Sequence, residues 1–299
     1  MPILDQTNGA DFAQAQKAAA AHYIFCDRDI LLANGALPDK DFFDAFVVQQ
    51  KAAGNLDRLI CEAPQNYAAA KIARRPDSFS QSAPSSQSEN SSQAQKAALS
   101  GQPDSFSQPY AFIPLREFVA ENPTLAPAAM RAKGILFWRD TYRHCPKCGG
   151  VFSNDKDETA LLCPECSFKL YPRIEPCVIV LIRRGDEILL AMDKKRGTKF
   201  YSCLAGFMEL GESAIQAVQR EVKEEVGIEI KNIKAVGSQS WPFPDQLMLA
   251  FTAEWQSGDL VLQESEIADA RWFKADQLPP PEQLPGRGSV AWNLIHDKF

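Results

Sequence analysis

LAGFMELGESAIQAVQREVKEEVGIEI, Leu204–Ile230, is the stretch whose reading decides the fold. It reads as a loop feeding a helix. Ser213 suits the N-cap, and Gln216 three residues on completes a capping-box pattern. Ile215, Val218, Val222 and Val226 recur at three- and four-residue spacing and predict one apolar face. Gly227 stands where a left-handed residue would end the helix. Glu221, Glu224 and Glu225 lie at i, i+3 and i+4, so their carboxylates gather on one side.

An acidic run on a helix is ordinarily a solvated face. The spacing around this one argues for more. Hard cations such as Mg²⁺ or Mn²⁺ take oxygen ligands and hold phosphate oxygens at the same time. A glycine just before the helix lets a diphosphate approach the backbone. Gly206, Glu212, Arg220, Glu221, Val222, Glu224, Glu225, Gly227 and Ile228 match the Nudix box at every defining position. The chain therefore resembles a Nudix hydrolase. That resemblance implies metal-assisted cleavage of a nucleoside diphosphate joined to another group.

At 299 residues the chain has room for two domains and a small third module. A net charge of −6 argues against a broad basic surface for nucleic acid. No apolar run approaches a membrane span, and the first residues lack the basic start and apolar core of a secretory signal. A cytoplasmic location is the default expectation. Of eight cysteines, Cys26, Cys61, Cys177 and Cys203 are scattered and read as packed thiols in a reducing compartment.

The first 75 residues mix short apolar runs with alanine-rich stretches. Asp11–Ala21 suggests a helix. Ala21–Phe25 and Asp29–Leu32 suggest strands around a turn, Asp41–Val48 an amphipathic patch, and Arg58–Cys61 another strand. His22 is isolated and reads as structural. From about 76 to 109 Ser, Gln, Ala and Pro dominate, and a disordered insertion is expected. The hexapeptide PDSFSQ occurs in it twice, from Pro76 and from Pro103. Leu115–Ala120 and Pro127–Trp138 read as helices. The expected division is an N-terminal domain, 1–142, interrupted at 76–109, then a zinc ribbon, 143–172, then a Nudix domain, 173–299.

Two CxxC pairs, Cys145/Cys148 and Cys163/Cys166, are separated by fourteen residues. Each is a tight knuckle that aims two thiolates at one point, and together they predict a structural Cys₄ zinc site. After it come Cys177–Ile182, a continuous apolar run as in a buried strand, and Ile188–Met192, a return strand. Lys234–Gln239, Leu247–Trp255 and Ala270–Phe273 read as further strands and Ser289–His296 as a closing helix. The fold class expected is α/β (α+β): an α/β/α sandwich with a mixed sheet, a small zinc ribbon and a separate N-terminal α/β domain.

Ser238–Gln246, SQSWPFPDQ, resembles the SQPWPFPxS signature of the NAD(H) pyrophosphatase branch of Nudix hydrolases. Ser240 and Gln246 depart from it. That branch also carries a Cys₄ module before its Nudix domain. The resemblance implies Glu221, Glu224, Glu225, Glu266 and Ala205 at the catalytic Mg²⁺ or Mn²⁺. It implies Tyr171 and Phe207 as the aromatics that sandwich the adenine, and Gln239, Trp241, Phe243 and Ala291 at the substrate. It also implies a homodimer, in which Tyr171 comes from the partner. The reaction it implies is hydrolysis of the NAD(H) pyrophosphate to AMP and nicotinamide mononucleotide. Removal of an NAD cap from RNA, or a broader dinucleotide pyrophosphatase of the ADP-ribose type, are the alternatives. Glu224 or Glu225 would accept the water's proton. Arg220 would pair with a glutamate and fix the helix against the loop.

Overall fold

The structure is a computed structural model that describes residues 4–5, 21–62, 67–73, 109–194, 200–274 and 276–299. The helix expected before Ala21 and the insertion up to residue 108 lie outside the described residues, as does the PDSFSQ repeat. The chain packs as two units. One contains the described residues up to Phe118 together with Thr124–Arg173; the other contains Val119–Pro123 and Ile174–Phe299.

In the first unit the elements run β1 (Leu4–Asp5), β2 (Ala21–Cys26), β3 (Asp29–Ala33), α1 (Lys40–Ala52), β4 (Leu56–Glu62), β5 (Tyr67–Ile72) and β6 (Tyr110–Pro114). After α2 (Leu115–Glu121), which the unit boundary divides, comes α3 (Ala126–Thr141). The sheet order is β1-β4-β5-β2-β3-β6; β2 and β5 are parallel and the other pairs antiparallel. From His22 to Cys26 every residue of β2 is buried, as suits a strand covered on both faces. Phe42, Phe43, Phe46 and Val47 of α1 pack against Ile24, Leu31, Ala68 and Ala70 on one face. Tyr23 and Phe25 alternate to the other, where Lys133 of α3 stands 6.0 Å from the Phe25 ring. The patch at Asp41–Val48 is thus the middle of a helix capped by Asp39, which accepts from Phe42 N at 2.8 Å. β5 was not anticipated from the sequence.

Three two-residue strands, β7 (Ser153–Asn154), β8 (Leu161–Leu162) and β9 (Lys169–Leu170), form a small sheet beside the cysteine pairs.

The second unit contains β10 (Glu175–Arg184), β11 (Glu187–Asp193), β12 (Leu204–Phe207), α4 (Ala214–Val226), β13 (Glu229–Trp241), β14 (Gln246–Ser257), β15 (Ile267–Lys274) and α5 (Val290–Ile295). The order is β13-β14-β10-β11-β15, mixed because β10 and β14 run parallel. The other edge of β10 is shared: β12 pairs with Cys177–Val180 and β11 with Ile182–Arg184. α4 covers one face with Ala217, Val218, Val222 and Val226; α5 covers the other with Val290, Ala291, Leu294 and Ile295. This is the expected α/β/α sandwich. Ile215, in the first turn of α4, is half exposed instead of joining the apolar face, and Ala217 is buried there.

Candidate active site and zinc site

The loop into α4 is held by the helix's own end. Ser213 is the N-cap, and the reciprocal bond from its backbone N–H to Gln216 Oε1, 2.8 Å, completes the capping box. Gly227 closes the helix at φ +77. Between these ends Glu221 faces back to β12. A Cβ on Gly206 would stand 1.9 Å from Glu221 Cδ, so only glycine leaves room for that carboxylate.

Arg220 clasps the arrangement. Its Nε and Nη2 reach both oxygens of Glu212 at 3.1 and 2.6 Å, a bidentate pair. Nη2 also donates to the Phe207 carbonyl at 2.9 Å, and Nη1 to Glu221 at 2.8 Å and Glu224 at 3.2 Å. One guanidinium therefore ties loop, strand and helix together. Glu212 also accepts from Glu209 N at 2.6 Å, and these bonds, Arg220 first, hold its carboxyl below the usual range.

The three helix glutamates stand in different environments. Glu225 is buried at 8% exposure, the Glu221 side chain is 13% exposed, and that of Glu224 is 54% exposed. Burial raises the Glu221 carboxyl, with Arg220 opposing and the charges of Glu224 and Glu266 adding to the rise. Glu266, forty-five residues downstream in a loop, thus lies within the field of Glu221. Its loop is pinned by Gln263 N donating to Glu225 O at 3.0 Å and Lys194 N to Glu266 O at 2.7 Å. Glu221 thus feels the charges of Glu224 and Glu266, but among the described residues the one group of three or more ligating side chains gathered closely enough to hold a metal ion is the cysteine set described below. Ala205 precedes Gly206 on β12, opposite Ile179.

The substrate candidates fall in several places. Phe207 ends β12 with its ring 52% exposed. Trp241 and Phe243 meet edge to face at 5.1 Å in the turn between β13 and β14. Ala291 is buried on the inner face of α5, so its side chain belongs to the core. Tyr171 belongs to the first unit, exposed as fully as Phe207, and donates its hydroxyl to Glu158 at 2.5 Å.

In the first unit the sulfurs of Cys145, Cys148, Cys163 and Cys166 all lie within 4.8 Å of one another. Cys145 and Cys166 are 3.6 Å apart, Cys148 and Cys163 3.4 Å. Tetrahedral Zn–S bonds would place sulfurs ~3.8 Å apart. This is a Cys₄ site compatible with structural Zn²⁺. Lys169 of the same module is engaged by Asp155 at 3.0 Å and Glu158 at 3.4 Å.

The NUDIX domain model matches residues 173–292. A Pseudomonas aeruginosa protein named NAD-capped RNA hydrolase NudC is 46% identical over 186 residues, 62% of this chain and 66% of that one. Proteins of the same name from Pseudomonas syringae pv. syringae and Pectobacterium atrosepticum are 51% and 44% identical, over 60% and 61% of this chain and 64% and 69% of theirs. The chain belongs to the Nudix family. It spans about two thirds of the length of these relatives.

Within this Nudix domain, some roles were not legible in the sequence. Gln239 braces the start of α5: its Nε2 donates to Gly288 O and its Oε1 accepts from Val290 N, both at 2.7 Å. Only the signature around Gln239 marked it, and nothing there named its partner. Glu212 is a box residue whose work, holding Arg220, appears only in three dimensions. Cys203, close to the Nudix loop, is buried, and burial pushes its thiol up to about 12. It is a packed thiol, not a nucleophile.

Proposed function

We propose that this chain hydrolyses the pyrophosphate bond of an NAD-type dinucleotide, with the NAD cap of RNA as principal substrate and free NAD(H) cut by the same chemistry. The products would be nicotinamide mononucleotide and a 5′-phosphorylated adenosine, which is AMP when the substrate is free. The sequence alone favours free NAD(H); the names of the relatives favour the capped RNA. The observation that carries the reaction type is the clasp of Arg220 on Glu212, Glu221 and Glu224 beside Gly206.

Glu221, Glu224, Glu225 and Glu266 would hold Mg²⁺ or Mn²⁺, with Ala205 beside them. A bound cation of this kind neutralises charge on phosphate oxygens and lowers the pKa of a coordinated water. The chain's own residues do the rest. Glu224, the most exposed of the helix carboxylates, would take a proton from the attacking water, with Glu225 as the alternative. Arg220 keeps Glu221 and Glu224 in fixed orientation. Phe207 offers a flat, exposed face for the adenine. Trp241, Phe243, Gln239 and Ala291 would shape the wall on which the rest of the substrate lies, Gln239 by bracing the start of α5 and Ala291 by packing that helix against the sheet. Tyr171, held by Glu158, would supply a second face from the partner of a homodimer. No helix among the described residues is long and apolar enough to cross a membrane; a cytoplasmic location belongs to the same proposal.

Turnover of NAD-capped RNA and of NADH, in water enriched in heavy oxygen with Mg²⁺ or Mn²⁺, is the test. Label on one phosphate of the product pair and a higher kcat/KM for capped RNA are expected, with Glu224→Gln losing most turnover. No cleavage of either substrate would overturn the catalytic reading; equal turnover by Glu224→Gln would remove Glu224 as the proton acceptor. A kcat/KM favouring NADH would reverse the order of substrates.

A further inference from the structure

We propose that Phe299 is a positioning residue for the substrate wall: its ring, laid on Gly237, fixes the edge strand β13 against α5 and so sets where Gln239 and Trp241 stand. The proposal rests on the hydrolase reading above for what the wall receives, though the contact itself does not depend on it.

Strand register places Gly237 beside the site. Ala205 pairs with Ile179, Ile179 with Ala250, and Ala250 with Gly237, so these four form one row across the sheet. The adjacent row runs Phe207, Cys177, Met248, Gln239. Residues two apart on a strand share a face, and so do residues paired across strands. Cys177, Ile179, Met248 and Ala250 lie in the core covered by α5, so Gly237 and Gln239 face that helix too. Both rows begin on β12 at candidate site residues and end on β13.

β13 is the edge of its sheet, and every residue from Lys234 to Ser238 is exposed. Its register on β14 also shifts between Ala235 and Gly237, which interrupts the ladder just before the wall begins. Beyond that shift the strand is held from α5. Gln239 ties it to the start of the helix through Gly288 O and Val290 N. Phe299 ties it to the segment that follows the helix. A Cβ on Gly237 would stand 2.5 Å from Phe299 Cε1 and 2.6 Å from Cδ1. Gly237 has no positive φ, so backbone conformation does not require glycine there; the close approach of the ring does. Phe299 is carried to that place by Lys298 N, which donates to Asn293 O at 2.8 Å, and by Asp297, which meets Arg183 of β10 at 2.5 Å.

The ordinary explanation is that a half-exposed phenylalanine simply covers surface. Such a ring would be indifferent to the residue beneath it. This one lies on a position that admits no side chain, in the row of Ala205 and two residues from Gln239. The helix glutamates come from α4 on the opposite face of the sheet, so loss of the contact should weaken substrate binding and spare the chemistry.

The test uses the full-length, zinc-loaded protein with Mg²⁺. Phe299→Ala should raise KM several-fold for NADH and for NAD-capped RNA at nearly unchanged kcat, the pattern of lost binding. Phe299→Tyr keeps the flat ring and should restore KM. Gly237→Ala places a methyl where the ring lies and should act as Phe299→Ala does. Made together, the two should cost no more than one alone, in KM and in Tm, because each removes the same contact. Fluorine-labelled tryptophan gives a readout without substrate. Of the five indole resonances, that of Trp241, assigned with Trp241→Phe, should move in both variants while that of Trp138 in the first unit stays. An unmoved Trp241 resonance, or additive effects of the two substitutions, would overturn the proposal. So would a lowered Tm at unchanged KM, which would leave Phe299 a packing residue. No cleavage by the wild type would fail the hydrolase reading alone, because the fluorine resonance and the Tm comparison still decide the contact.

Discussion

Arg220 and Gly206 show how much one residue can decide. Arg220 makes five hydrogen bonds to four residues, Phe207, Glu212, Glu221 and Glu224. Lysine keeps the charge but cannot make a bidentate pair with Glu212 while reaching the others. Arg220→Lys is therefore expected to lower metal affinity and turnover about 10–100-fold, the usual cost of losing a group that orients ligands. A metal titration with turnover as readout checks it; unchanged metal dependence would remove Arg220 from its orienting role. The box spacing made this residue legible, but the identity of its main partner was not, because Glu212 lies eight residues upstream and only the loop's path brings it back. His22 is the converse case. Alone in the sequence it carried no signal, yet it is buried against Phe43, ring centres 5.0 Å apart, and its Nε2 has no hydrogen-bond partner among the described residues. Burial lowers its pKa below 6.5, outweighing the pull of Asp44 and Asp39. The folded state thus holds a neutral ring. Above pH 6.5 it is neutral folded or unfolded; as pH falls below that value the unfolded chain gains the proton first and stability drops. His22→Phe should flatten that acid limb in chemical denaturation between pH 7 and 5. A limb of unchanged slope would assign the loss to other groups.

At the scale of elements, α4 and β5 mark the two extremes of legibility. α4 announces itself through its cap, its stripe and its terminal glycine, signals that are local and agree with one another. Ser213→Ala removes the capping box at one end and should cost ~1 kcal/mol, seen as a lower urea midpoint at unchanged m-value. No midpoint shift would mean that tertiary packing alone holds the helix start. β5, YAAAKI, says the opposite locally, since alanine is the best helix former. The sheet overrides it. β5 lies between β4 and β2, and its Ala68 and Ala70 lie in the same core as Phe42, Phe43 and Phe46 of α1. Small side chains on the strand leave the depth that three phenyl rings fill. That complementarity joins segments some twenty-five residues apart, which no window of sequence displays.

At the scale of the whole molecule, most elements of both units were legible in the sequence, but in the first unit β5 and the pairing of the strands were not. Hairpin neighbours and a long signature lead through the Nudix sheet in order. In the first unit the pairing of β2 with β5 is parallel and spans α1 and β4, so topology there follows from packing that sequence periodicity does not encode. The cysteine pairs were legible because a tetrahedral site needs that spacing. The purified protein should contain about one zinc per chain. Cys163→Ser should lower that content and make residues 143–172 the first place cut in limited proteolysis. Full protease resistance with zinc absent would mean that the small sheet stands without metal.

The divided edge of β10 has a consequence in time as well as in space. Its amides between Cys177 and Ile182 face partners on both sides, β14 along one and β12 then β11 along the other. They should be among the slowest to exchange with deuterium. β12 has only four residues to hold its share, and its last two are Gly206 and Phe207. Exchange at those two amides should therefore report on the Arg220–Phe207 bond: Arg220→Lys, which weakens that bond, is expected to speed it relative to the rest of β10 and β12.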